Sequence, residues 1–418
     1  MKKHIIIGSG PAGLVAAEKI KELVPEDEVK IVTKESCFPY SPAVLPHLLS
    51  GKGNQETFWS RNETHFKKLG VVFERGREVM KIEPDQSRIS FADGGSATYD
   101  RLLIASGSEG VAPPIQGLEE VGFVSFHTLE DYQRLLQLLE GRENVTILGA
   151  GMIGMELAAA LTERNHQVRV IEMENRLLPL YFEEGASALI KEVFSDKGVE
   201  ILTGRKVVKV EGGFGRINVI CADGEPLKTD LLLTCTGVKA RTTFLQDSGI
   251  KLNQGVVVDQ RMQTSKEGVF AAGDVAEALS FKKKERGLNP ILFTALAQGK
   301  IAGENMAGLK SEYKGWIPLN VFRFFGNMAA SVGASGAEGE EYDVMEEIQQ
   351  ASRKFRKLVF SDGRLEGATF INEDINPGLF WQIIERQLDL RKYRDLLFKR
   401  PAEMSTWLIH EHERGKSN

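Results

Sequence analysis

Two glycine-rich turns, each set between a short apolar run and a helix-forming run, constrain this chain more than any other feature. The first is Gly8-Ser9-Gly10-Pro11-Ala12-Gly13, preceded by His4-Ile5-Ile6-Ile7 and followed by Leu14-Val15-Ala16-Ala17-Glu18. The second is Gly149-Ala150-Gly151-Met152-Ile153-Gly154, between Val145-Thr146-Ile147-Leu148 and Met155-Glu156-Leu157-Ala158. Both read G-x-G-x-x-G, in which the glycines make a tight turn, admit a pyrophosphate and let helix and strand pack closely. The phosphates then meet a helix N-terminus, where free N–H groups and the dipole favour negative charge. The turns begin at positions 8 and 149, 141 residues apart. Two of them in strand–turn–helix context predict two dinucleotide sites in one chain.

A length of 418 residues leaves room for two or three domains with substantial cores, and 42% apolar residues predict ordinary globular folding. The net charge of −5 gives no electrostatic reason to expect nucleic acid or a membrane surface as partner. Cys37, Cys221 and Cys235 are the only cysteines and show no C-x-x-C spacing, which argues against a disulfide scaffold and against a cysteine-ligated metal or iron–sulfur site within the chain. The apolar run at the N-terminus ends at the glycine turn after three residues, too short for a signal-peptide core. No stretch of about 18 apolar residues predicts a membrane span. A cytoplasmic, membrane-free protein is the expectation.

Along the chain, a strand at 4–7, a helix at about 12–24 and a strand at 29–33 form the first βαβ unit. Residues 38–42 contain two prolines and are read as non-helical. A helix follows at about 57–69, then strands near 71–74, 78–82, 88–92 and 101–105. After a proline-containing linker at 112–115 and a helix at about 128–140, the second unit has strands at 145–148 and 167–171. A strand at 231–235 and the run Val269-Phe270-Ala271-Ala272-Gly273-Asp274 follow, then a helix rich in small residues at about 291–306. Strands at 354–360 and 364–370 flank Asp362-Gly363 as a hairpin, and amphipathic helices close the chain. The basic run 282–286 and the acidic stretch 336–347 are read as exposed, the former also as a candidate docking patch for an acidic ferredoxin-like protein.

The first turn, Ala105-Ser106-Gly107, the second turn with Glu172, and Gly273-Asp274 stand in an order that resembles the two-dinucleotide-binding-domain flavoproteins, the pyridine nucleotide-disulfide oxidoreductase superfamily. The likeness is nearest to the branch of NADH oxidases, rubredoxin reductases and nitrite-reductase flavin domains, and covers roughly 1–308. The resemblance implies an α/β fold with two Rossmann-like domains, an FAD domain at 1–115 and 243–308 split by an NAD(H) domain at 116–242, and a C-terminal α+β interface domain at 309–418. It implies FAD contacts at Gly8, Gly10, Pro11, Ala12, Gly13, Thr33, Lys34, Pro42, Ala43, Val79, Ser106, Gly107, Gly273, Asp274, Phe293 and Thr294, with Asp274 on the ribityl chain. For NAD it implies Gly149, Gly151, Met152, Ile153, Gly154, Glu172, Thr236 and Gly237. Glu172, 18 residues after Gly154, ends a strand where a carboxylate binds the ribose 2′-hydroxyl and repels a 2′-phosphate, which favours NADH. Thr33 stands where the first unit would carry its acid, leaving Glu35 or backbone groups for that ribose. Glu156 and His47 are the candidates for the surroundings of the flavin.

In disulfide-using relatives a redox cysteine faces the flavin. The corresponding stretch here is Pro39-Tyr40-Ser41-Pro42-Ala43-Val44-Leu45-Pro46, with Ala43 where that cysteine would stand. Alanine forms no thiolate, so neither disulfide relay nor sulfenate chemistry operates there. Hydride exchange between nicotinamide and flavin needs positioning and electrostatics rather than an acid–base pair. The expected function is therefore an FAD-dependent NADH:acceptor oxidoreductase without a redox-active disulfide, passing electrons to or from an iron–sulfur partner. The Pro39–Pro46 segment and the C-terminal tail look like the flavoprotein subunits of phenylglyoxylate-type 2-oxoacid dehydrogenase complexes, which would make the chain part of a multisubunit assembly. The alternatives are a free-standing NADH oxidase or rubredoxin/ferredoxin-type reductase, and a flavin-bound redox sensor or scaffold.

Overall fold

Short apolar stretches such as Ile5-Ile6-Ile7, Leu102-Leu103-Ile104 and Leu231-Leu232-Leu233 suit strands covered on both faces, the setting of a parallel sheet. The computed structural model, which describes residues 1–53, 58–213, 215–282, 284–337 and 339–416, puts Lys3–Ile7 at the centre of such a sheet. Arg101–Ile104 and then Val269–Ala271 lie on one side; Glu28–Val32 and then Val71–Glu74 lie on the other, all parallel. Ile7 is in register with Val32 and Ile104, and Ile104 with Ala271. Gly8, Thr33, Ala105 and Ala272 consequently leave the same carboxyl edge. In open α/β sheets this edge is where ligands bind.

This sheet belongs to a compact unit of Met1–Val44, the described part of 54–109, and Val238–Trp316. Helices Pro11–Leu23 and Leu292–Met306 approach each other closely because their shared face is small. A Cβ added to Gly299 would stand 2.3 Å from the Ala12 carbonyl oxygen, and one on Gly303 2.7 Å from that of Ala16. Val79–Glu83, Arg88–Phe91 and Ser96–Thr98 form a separate antiparallel sheet.

A second unit comprises Leu45–Gly53, Gly110–Gly237 and the chain from Ile317 onward. Its parallel sheet runs Glu200–Leu202, Gln167–Ile171, Asn144–Leu148, Leu231–Thr234. It also holds a five-stranded antiparallel sheet in the order Leu319–Phe324, Asn327–Gly333, Arg364–Ile371, Lys354–Ser361, Asp343–Gln349. Phe194, on helix Glu184–Asp196, stacks on Phe322 and Phe324 with ring centroids 6.1 and 5.4 Å apart and ties that sheet to the dinucleotide fold.

Several elements differ from expectation. The helix placed at 57–69 is Glu63–Leu69, because the Asn62 side chain accepts the His65 N–H and starts it there; residue 57 lies outside the described residues. Pro42 opens a 3-10 turn, Pro42–Val44, since proline is tolerated at a first helical position. Helix Glu184–Asp196 was not anticipated. Lys283 and Glu338, within the two charged stretches, also lie outside the described residues. Among the described residues no helix is long and apolar enough to cross a membrane.

Candidate dinucleotide sites

The two glycine turns have the same internal logic. Gly8 sits at φ +108°, and a Cβ there would lie 2.1 Å from the Ala105 carbonyl oxygen; a Cβ on Gly13 would lie 2.2 Å from the Gly8 oxygen. In the second turn, Gly149 at φ +100° would meet the Cys235 oxygen at 2.5 Å, and Gly154 the Gly149 oxygen at 2.1 Å. The outer glycines are thus required by the protein's own backbone. The middle ones are not. Gly10 and Gly151 have φ of −71° and −74°, values open to any residue. No heavy atom lies within 4 Å of a Cβ built on either. Each is the N-cap of a helix, Pro11–Leu23 and Met152–Glu163, with no side-chain cap hydrogen bond. Open space above a bare backbone at a positive helix end is the cradle a pyrophosphate fits. Both sites therefore fit a dinucleotide.

Around the first turn, the carboxyl edge gathers most of the predicted FAD residues. Gly273, at φ +84°, faces Ala12, with Cβ atoms 3.1 Å apart if one is built. Its N–H donates to Gln298 Oε1 at 2.9 Å. Ser108 Oγ donates to Asp274 Oδ2 at 2.8 Å, and Ser106 Oγ to the Arg241 carbonyl at 2.9 Å. Gly107 is at φ +70°, with open space around it. Thr294, in the first turn of Leu292–Met306, is buried and accepts from Asn289 Nδ2 at 2.8 Å, while Phe293 beside it is 56% exposed. Thr33 is buried after Glu28–Val32, and Lys34 is exposed. Val79 is buried in the small antiparallel sheet. Pro42 and Ala43 are exposed in their 3-10 turn. Glu35 accepts the Cys37 thiol at 3.5 Å.

In the second unit Glu172 leaves the Gln167–Ile171 strand buried, with both oxygens engaged. Oε2 accepts the Ala150 N–H inside the glycine turn at 2.7 Å, and Oε1 accepts Glu174 N–H at 2.9 Å. The carboxylate pins the turn, and each oxygen retains acceptor capacity. Thr236 Oγ donates to the Val111 carbonyl at 2.8 Å, and Gly237 follows at φ +108° in open space. Met152 and Ile153 form the partly buried first turn of the helix. Further along it, Glu156 has no hydrogen-bond partner among the described residues, and burial pushes its carboxyl up to about 7. His47 is exposed on the short helix Leu45–Leu49.

All three cysteines are free. Burial and the nearby Glu35 carboxylate push the Cys37 thiol up to about 11, burial pushes Cys235 up to about 12, and burial also raises Cys221. None is a thiolate at neutral pH. Two residues of this edge escaped the sequence reading. Gln298 carried a signal, since it stands four after Thr294 on the same face of a helix otherwise lined by small residues. Ser108 carried none, because its partner is 166 residues away.

A family model described as pyridine nucleotide-disulphide oxidoreductase matches residues 2–299. The chain belongs to that family. It is an oxidoreductase of the flavoprotein type that uses FAD and NAD(H), as the motifs implied. It is 35% identical over 413 residues to the NADH-dependent phenylglyoxylate dehydrogenase subunit epsilon of Aromatoleum evansii, covering 98% of this chain and 97% of that one. It is 29% identical over 320 residues to an NADH oxidase of Methanocaldococcus jannaschii, covering 74% and 71%. Among solved structures, a NAD-dependent persulfide reductase from A. fulgidus superposes with TM-score 0.84 at 25% identity, over 92% of this chain and 77% of that one. A putidaredoxin reductase in covalent complex with putidaredoxin superposes with TM-score 0.87 at 23% identity, over 98% of both, and shares the fold.

Proposed function

We propose that this chain exchanges hydride between NAD(H), held at the second turn, and FAD, held at the first, and exchanges electrons with an iron–sulfur protein. We further propose that it does so as the flavoprotein subunit of a 2-oxoacid-oxidising complex. The observation that carries the reading is the silence of the thiols. Ala43 replaces the cysteine of disulfide-using relatives, and the three cysteines present are held protonated by burial. FAD, when bound, supplies a two-electron acceptor able to release electrons one at a time. The chain's own residues supply the rest. The amides at the starts of Pro11–Leu23 and Met152–Glu163 bind the two pyrophosphates, Asp274 takes a ribityl hydroxyl, and Glu172 with the turn it pins orients the adenosine ribose. The relation to a dehydrogenase subunit along nearly its whole length supports the assembly.

Anaerobic purification from the native source tests this. Co-purifying subunits that carry iron and thiamine diphosphate are expected, and NAD reduction should depend on them. A homo-oligomer with full acceptor activity, or rapid steady-state oxygen consumption by the isolated chain, would overturn the partner assignment in favour of a free-standing oxidase or reductase.

A further inference from the structure

Asp274, next to Gly273 just beyond the carboxyl edge of the first parallel sheet, has one carboxylate oxygen engaged. Oδ2 accepts from Ser108 Oγ at 2.8 Å, and Oδ1 has no partner among the described residues. Ser108 is 3% exposed, so no bulk water competes for its hydroxyl. Its backbone is fixed one residue earlier, where Gly107 O accepts the Arg241 N–H at 3.0 Å. A carboxylate only accepts, so the serine must be the donor. From the other side the Gly273 N–H is held by Gln298 Oε1, on a side chain 1% exposed. The turn that presents Asp274 is therefore gripped at the amide before it and at the carboxylate itself, by residues that come from two different sequence segments.

We propose that Ser108 is a positioning residue for FAD: its hydroxyl fixes the Asp274 carboxylate so that Oδ1 is presented, already oriented, to a hydroxyl of the flavin's ribityl chain. The inference rests on the assignment of Asp274 to that chain. A carboxylate free to rotate would lose orientational entropy on binding, whereas one already held by a buried donor has lost it in the apoprotein. The free oxygen keeps its full acceptor capacity because the donor occupies only the other one. Ser108 thus contributes to cofactor affinity without touching the cofactor, and its effect passes entirely through Asp274.

The experiment is FAD titration of full-length apoprotein, followed by flavin fluorescence, for wild type, Ser108→Ala, Asp274→Ala and the double variant. Ser108→Ala is expected to weaken FAD binding about tenfold, the scale of one charge-assisted hydrogen bond. In the Asp274→Ala background the same change is expected to alter affinity less than twofold, because a residue acting through Asp274 has nothing left to act on. Additive losses would overturn the inference, since they assign Ser108 a general packing role. So would a Ser108→Ala affinity within twofold of wild type while Asp274→Ala loses more than tenfold. An Asp274→Ala protein that binds FAD normally would instead overturn the underlying assignment of Asp274. Should Ser108→Ala fail to fold, Ser108→Cys keeps the volume, weakens the donor and carries the same expectations.

Discussion

A methyl group added at Gly8 would press against the Ala105 carbonyl at 2.1 Å, on a backbone held at φ +108°; one added at Gly10 would meet no protein atom within 4 Å. The same contrast separates Gly149 from Gly151. Alanine at the middle positions therefore costs the apoprotein little, while alanine at the first positions forces the strand ends apart. Gly10→Ala is expected to leave the apoprotein melting temperature unchanged but to weaken FAD binding tenfold or more, the loss of about 1.5–3 kcal/mol of amide–phosphate hydrogen bonding. Gly151→Ala should do the same to the NADH KM and leave FAD in place. Gly8→Ala and Gly149→Ala should lower the melting temperature with or without cofactor. Equal thermal damage from first and middle positions would mean that the cradle is not what keeps Gly10 and Gly151 glycine. The pattern of three glycines was legible in the sequence, but their division of labour was not, because it depends on the carbonyls of Ala105 and Cys235, which arrive from distant strands.

The helix Met152–Glu163 carries a conflict between its two jobs. On the function proposed above its first turn must stay bare to receive phosphate, while its inner face, with Met155, Leu157, Ala158 and Leu161, is buried. Glu156 falls between them and is desolvated with no hydrogen-bond partner among the described residues, so its carboxyl stands at about 7 against 4.5 for an exposed one. An acid whose pKa is higher folded than unfolded contributes a penalty that is absent below about pH 4.5. The penalty grows as pH rises from there and is complete above about 7. At its limit it is roughly 3 kcal/mol. Glu156→Gln is expected to raise the apoprotein melting temperature at pH 8 by roughly 2–4 °C, with the gain vanishing near pH 4.5; a gain independent of pH would show that ionisation is not its source. At this scale the parallel strands and both fingerprint helices were readable from apolar runs that end in glycine. Helix Glu184–Asp196 was not. Its apolar residues face a sheet whose strands begin more than a hundred residues later, as the Phe194–Phe322 stack shows, and its N-cap, Glu183, makes no capping bond that would mark its start.

Across the whole molecule, strands far apart in the chain end at one edge, which brings residues 8, 105 and 273 together, and the same device is repeated at 149, 172 and 235. The sequence disclosed both edges because Gly8, Gly149 and Glu172 mark the ends of their strands, whereas Ala105 and Cys235 carry no such mark. The route by which electrons leave is a different kind of property, decided by what is missing at Ala43 and by the state of three thiols. With its pKa near 11, Cys37 is a thiolate in only about one molecule in ten thousand at pH 7, and Cys235 in fewer. A thiol relay at these positions would run faster as pH rises toward those values, and would stop on substitution. The combined variant Cys37→Ser, Cys221→Ala, Cys235→Ala is therefore expected to reduce ferricyanide with NADH within twofold of the wild-type rate. It should show the same pH profile between 6 and 8 and full FAD content. Alanine at 235 keeps the Cβ, which lies 3.3 Å from one built on Gly154, so the turn beneath the second cradle is undisturbed. A tenfold loss of turnover with flavin retained would place a sulfur atom in the electron path and remove the reason for seeking the partner outside the chain.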